Sequence, residues 1–173
     1  MACDISAGRK TLCKTVGGIK NIYFVNYRGS LQSEYTFAFG FGTIVAETIT
    51  PKLTSYKFEL RGSQSMVTAG EASRDSNTSF YTSTGTFKLN GFDISLSNEL
   101  EAAVKGRPQI ITEDYLGAFK LYGWENGCDV SVSHNSGATM GDGQNSELTI
   151  TSIETRPPHI LDPSGCMTII EGV

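Results

Sequence analysis

Thr54-Ser55-Tyr56-Lys57-Phe58-Glu59-Leu60-Arg61 alternates polar and apolar residues from Ser55 onward. In an extended chain Tyr56, Phe58 and Leu60 share one side, while Ser55, Lys57, Glu59 and Arg61 share the other. That is the period of a strand with one wet face. A helix needs recurrence at three and four residues instead. The same two-residue period returns on both sides of this stretch, and the class it predicts is mainly β.

Upstream, Pro51 marks a turn, and Ser33 to Glu47 reads as a strand with Tyr35, Phe37, Phe39 and Phe41 on one aromatic face. Gly40 and Gly42 interrupt it and predict a bulge or a close approach of backbones. Ile19 to Asn26 reads as another strand, with Ile22 and Phe24 on one side and Tyr23 and Val25 on the other. Apolar residues on both sides predict a strand covered on two faces. Residues 1–18 carry Gly8, Gly17 and Gly18 with Arg9, Lys10 and Lys14 and little alternation, so they read as an irregular arm.

Downstream, residues 62–79 contain Gly70, Glu71, Arg74, Asp75 and Asn77 among several Ser and Thr, and read as a long polar loop. From Phe80 to Leu89 a strand places Tyr81, Phe87 and Leu89 opposite Thr82, Thr84, Thr86 and Lys88. The period then changes. Leu96, Leu100, Ala103 and Val104 recur at helical spacing, Asp93 or Ser95 can cap the start, and Lys105-Gly106 with Pro108 ends it, so the spacing predicts a helix over 94–105. Strands follow at Gln109 to Glu113, Ala118 to Trp124, Cys128 to His134 and Glu147 to Thr155, separated by glycine-bearing turns. Arg156-Pro157-Pro158 stops regular pairing, because proline supplies no backbone donor. Residues 156–173 read as a tail with an apolar patch from Met167 to Ile170.

Seven or eight strands and one helix without βαβ alternation predict an antiparallel β-sandwich or curled barrel over residues 19–155, flanked by the 94–105 helix. A chain of 173 residues buries enough surface to need neither disulfides nor a metal. The start, MACDISAGRK, has no apolar segment of a secretory type, which predicts a reducing compartment with Cys3, Cys13, Cys128 and Cys166 as thiols. Cys128 reads as a small buried hydrophobe. No run approaches the length needed to cross a bilayer, so the chain is expected to be soluble and without a membrane partner.

Net charge is −4, from 14 basic and 18 acidic side chains. Residues 1–86 hold nine Lys or Arg against six Asp or Glu, and residues 87–173 hold five against twelve. An acidic face repels a nucleic-acid backbone, which argues against a gripping DNA-binding module.

Residues with catalytic chemistry do not converge in the sequence. His134 and His159 lack an adjacent nucleophile and orienting acid, so a surface or turn role is expected for each. Glu113 and Asp114 stand at a strand end beside a turn and read as hairpin solvation. The MGDGQNSE segment around Asp142 lacks the ligand ladder of a calcium loop and reads as a turn. GFGT lacks the lysine and helix start of a phosphate loop. No catalytic residue, cofactor or metal is expected.

Several segments together resemble a known family. They are Met1-Ala2-Cys3-Asp4 with Gly8-Arg9, Cys13-Lys14 and Gly17-Gly18-Ile19-Lys20 before Ile22-Tyr23-Phe24, then Tyr56-Lys57-Phe58-Glu59-Leu60 and Gly106-Arg107-Pro108 after the helix. Glu113-Asp114-Tyr115-Leu116-Gly117, Gly123 through Gly127, and Ser136-Gly137-Ala138-Thr139-Met140-Gly141-Asp142 complete the set. The chain in these segments resembles the tail tube proteins of tailed bacteriophages. The resemblance implies a non-enzymatic virion protein, assembled in the host cytoplasm, whose hexameric rings stack into a tube that passes double-stranded DNA without sequence readout. Its implied partners are copies of itself and other tail proteins. The implied contact residues are Arg9, Lys10 and Lys14 of the arm, Gly70, Glu71, Arg74 and Asp75 of the long loop, and Met167, Ile169 and Ile170 of the tail. A head–tail connector, decoration or baseplate protein is the related alternative. A carbohydrate-binding module with Tyr115, Tyr122 and Trp124 as its platform is the alternative of another class.

Overall fold

The computed structural model describes residues 16–29, 35–40, 43–62, 64–73, 75, 77–91 and 93–171, those between 35 and 48 by their backbone alone. Among the described residues, twelve strands, one helix of three turns and one short helix follow one another. They are β1 Ile19–Val25, β2 Tyr35–Gly40, β3 Thr43–Ile49, β4 Leu53–Glu59, β5 Ser65–Ser73, β6 Thr78–Asn90, α1 Ile94–Lys105, β7 Gln109–Asp114, β8 Phe119–Tyr122, β9 Asp129–Asn135, β10 Asn145–Glu154, β11 His159–Leu161, α2 Pro163–Cys166 and β12 Met167–Glu171. The chain is mainly β, as its alternation predicts.

The strands form two sheets. The larger has eight strands in the order β12-β4-β1-β7-β8-β11-β3-β2, and the smaller has four in the order β5-β6-β10-β9. The larger sheet curls into a half-barrel only. It is also mixed, because β11 runs parallel to β3 and β12 parallel to β4, which corrects the expectation of a wholly antiparallel fold.

β1, β7 and β8 lie between two cores. One core holds Ile22, Phe24, Ile110 and Tyr122 against Phe87, Leu89, Val130, Leu148 and Ile150 of the smaller sheet and Leu100 of α1. The other fills the hollow of the half-barrel with Tyr23, Val25, Ile111, Phe119, Leu121, Trp124 and Met167. The two apolar sides of β1 thus each have a core to enter. Ile110 and Ile111 are adjacent in sequence, point to opposite faces and are both fully buried.

α1 has the predicted boundaries. Asp93 Oδ1 accepts the Leu96 amide at 2.6 Å, and the Gly106 amide reaches the Ala102 carbonyl at 3.0 Å. Its buried stripe is Leu96, Leu100 and Ala103, while Val104 stays outside.

Four further expectations require correction. Ser33 to Glu47, read as a single strand, is the hairpin β2–β3 where it is described. Residues 62–79, read as a loop, contain β5, paired along its whole length with β6 from Ser65↔Thr86 to Ser73↔Thr78. β5 is nearly all exposed, so its ladder of hydrogen bonds rather than burial holds it, and no apolar period marks it. Residues 156–173, read as a tail, supply β11 and β12 to the larger sheet, with α2 between them. In β4 the expected faces are reversed over one pair: Ser55 is fully buried and Tyr56 is 38% exposed. The curl of the sheet closes over the Ser55 side, while Phe58 packs partly buried against the core and Tyr56 lines the open groove beside α1.

Candidate assembly surfaces

Backbone register across the smaller sheet aligns its side chains into rows. Ser65, Thr86, Thr149 and Ser131 form one row, and Val67, Thr84, Thr151 and Asp129 the next. A third holds Lys88, Glu147 and Ser133. In β6 and β10 these positions alternate with buried Phe87, Leu89, Leu148 and Ile150, so the rows make the outer face of the sheet. The face is mostly hydroxyls with a small acidic excess, and its one lysine pairs in register with Glu147. Its first and last strands, β5 and β9, have no further strand partner among the described residues, and α1 packs beside β9. These rows were legible as the Thr82, Thr84, Thr86, Lys88 alternation, but the pairing that assembles them across four strands was not.

In the outer half of the β5–β6 hairpin, Gly70–Ser73, Asp75 and Asn77–Ser79 are exposed, and none of them belongs to the apolar core. Gly70 lies under the Tyr81 ring: a Cβ there would come within 3.0 Å of it. Of the predicted contact residues, Gly70, Glu71 and Asp75 share this hairpin and are exposed. Arg74, like Arg9, Lys10 and Lys14, lies outside the described residues. Met167, Ile169 and Ile170 lie instead on β12, the edge of the other sheet. Met167 is buried in the half-barrel core, whereas Ile169 and Ile170 are each 42% exposed.

A polar cluster closes one end of the half-barrel. Glu113 Oε2 accepts from Asn21 Nδ2 at 2.6 Å and from Tyr23 Oη at 2.7 Å, with Lys20 Nζ 3.6 Å from its other oxygen. Burial opposes the charge, but these donors prevail and hold the carboxyl below its usual range; the same burial and the Glu113 charge push the Tyr23 phenol up. Glu113 is therefore an internal acceptor rather than hairpin solvation. Asp114 does serve its turn, accepting the amides of Leu116 and Ala118 at 2.9 and 2.8 Å.

At the other end, Glu154 takes the amides of Glu125 and Asn126 at 2.9 and 3.1 Å and so fixes the 123–127 turn. Burial raises its pKa. His159, expected on the surface, is 3% exposed and packs on Trp124 with ring centres 4.2 Å apart. Burial, with the Arg156 charge, lowers its pKa to about 4. His134 is exposed and bonds Ser146 Oγ at 2.9 Å.

Tyr122 faces the core between the sheets, Trp124 faces the half-barrel core, and only Tyr115 is exposed, so the three rings make no common platform. Asp142 accepts the Thr139 amide at 2.9 Å and closes the expected turn. Cys128 and Cys166 are buried thiols outside any disulfide, and burial raises their pKa values to about 12 and about 11. Cys3 and Cys13 lie outside the described residues. Among the described residues no group of His, Cys, Asp and Glu has the arrangement of a metal site, and no helix is long and apolar enough to cross a membrane. No protein-family model, curated protein or solved structure matches the chain.

Proposed function

We propose that this chain is a structural subunit that assembles through its four-stranded sheet into rings, stacked as a tube of the bacteriophage tail type, with double-stranded DNA as the cargo of the lumen. The observation that carries the proposal is the smaller sheet: four antiparallel strands, a polar outer face, and no strand beyond β5 or β9 among the described residues. An even number of alternating strands lets a rotation bring β9 of one copy beside β5 of the next with antiparallel order kept, so a cyclic ring continues one sheet around its axis. Such pairing also covers strand edges that are otherwise open to indiscriminate association.

Directed inward, the outer face lines such a ring with Ser and Thr hydroxyls, Asp129 and the Lys88–Glu147 pair. Phosphates passing along it meet hydroxyls and carboxylates and find little cationic charge to hold them, as transport without sequence readout requires. The exposed β5–β6 hairpin stands where a contact to the next ring is needed. A head–tail connector shares the ring but not the stack. Val67 is 64% exposed on β5, so Val67→Lys leaves the fold within about 0.5 kcal/mol while placing a charge in the edge strand. The expected result is an unchanged urea midpoint with loss of rings and tubes by negative-stain electron microscopy. Unchanged assembly by the variant refutes the edge pairing, and capped single rings from the wild type favour the connector.

A further inference from the structure

Tyr56 and Ile170 are cross-strand partners on β4 and β12, both exposed, on a face that α1 leaves uncovered. They belong to a groove that follows α1 over the larger sheet. One part, about 250 Å³, lies between Phe24, Phe58, Leu100 and Ala103 and ends at Tyr27 and Arg107. The second, about 600 Å³, continues past Leu96 to Ile170 and Glu171. Tyr56, Phe58 and Glu99 line both parts, so the two are continuous. Twelve helical residues give the groove a length of about 18 Å, which about five residues of extended chain would span.

The wider part has an apolar floor and an acidic rim. Glu59, Asp93, Glu99 and Glu171 border it against one cation, Lys57, which Glu59 and Glu171 already hold at 3.1 Å each. Glu99 has no ion pair among the described residues. The occupant that fits is an extended segment with apolar side chains and spare positive charge. Residues 1–15 have that composition: Ile5 and Leu12 stand among Arg9, Lys10 and Lys14, with Asp4 as the one acid.

The point of attachment decides between a chain's own arm and a neighbour's. Val16, Gly17 and Gly18 lie beside Thr112, Asp114 and Lys120, over β7 and β8, whereas the groove lies across β1 over β4 and β12. An arm entering its own groove must double back over β1, whereas fifteen residues extended reach up to about 50 Å, enough to meet an adjoining subunit. We infer that residues 1–15 of one copy dock in the α1–β4 groove of a second copy, the Arg9, Lys10 and Lys14 cations meeting the Glu59, Glu99 and Glu171 rim. The inference rests on the self-association proposed above.

The arm carries its own probes, Cys3 and Cys13, while Cys128 and Cys166 are buried and far less reactive. A full-length Ser95→Cys variant places a thiol on the exposed rim. Equal amounts of ¹⁴N- and ¹⁵N-labelled chain are mixed, dissociated and reassembled, then treated with a short bismaleimide. Peptides joining position 95 to Cys3 or Cys13 are expected to form at least about tenfold faster than links from the control Met140→Cys, on an exposed turn, and to include mixed-isotope pairs. Adding Glu99→Lys slows them, and reversing Arg9 and Lys10 to Glu in the same chain restores the rate. Links confined to one isotope, or no excess over the control, overturn the inference. Light-scattering mass of the same untreated sample separates the two failures: an oligomer without groove links sinks only the docking, and a monomer sinks the self-association as well.

Discussion

Replacing His159 with glutamine alters how stability responds to pH. The imidazole is nearly inaccessible, rests on Trp124, and has its pKa lowered to about 4 by burial and Arg156, with Glu125 opposing weakly. In the unfolded chain it titrates near 6.5. Between those values the unfolded state binds a proton that the folded state refuses, so stability present above pH about 6.5 is lost as pH falls toward 4. The gap, at about 1.4 kcal/mol per pH unit, corresponds to about 3 kcal/mol. Glutamine does not titrate. Glu113, whose pKa is lowered, and Glu154, whose pKa is raised, contribute to both proteins and cancel in the comparison. Urea unfolding followed through the single tryptophan, Trp124, at pH 7.5 and pH 4 should show the difference between variant and wild type move by about 3 kcal/mol in the variant's favour at the lower pH. Parallel pH profiles would refute the assignment of a buried neutral imidazole.

Ile110→Ala and Ile111→Ala should each cost about 2–5 kcal/mol in urea unfolding, because these neighbours are fully buried in different cores; a cheap Ile111→Ala would show that the half-barrel hollow is loosely filled. Gly85→Ala brings a Cβ to 2.9 Å from the Phe87 ring and 3.1 Å from Met66 Cγ, so a loss of about 1–3 kcal/mol in the same assay is expected. Gly127→Ala meets both a φ of +78° and the Arg107 carbonyl at 2.6 Å, and should lower stability by at least about 2 kcal/mol, detectable as a lower Tm.

Legibility in the sequence followed the range of the interactions. α1 was readable to its ends because its cap, stripe and stop are all local: Asp93, Leu96 to Ala103, and Gly106. β1 was readable as doubly covered from the two apolar sides of Ile22 to Val25. β5 was not, since Ser65 to Ser73 carries no apolar period and is held by its pairing with β6. β11 and β12 were hidden for a related reason: each pairs in parallel with a strand more than a hundred residues earlier, and the prolines before β11 pointed to an ending. The exchange of Ser55 and Tyr56 between inside and outside follows from the curl of the larger sheet, a property of eight strands together. For the candidate surfaces, Thr84, Thr86 and Lys88 announced a polar face, but only the register with Thr149, Thr151 and Glu147 makes it continuous. The groove was invisible because the period of β4 assigned Tyr56 to the core.

Self-assembly through the four-stranded sheet is tested most directly by negative-stain electron microscopy of the purified full-length protein over a concentration series. The expected images are rings with six-fold symmetry that stack into tubes as concentration rises. Particles that keep the monomer mass of 18.7 kDa at every concentration would contradict self-assembly through this sheet.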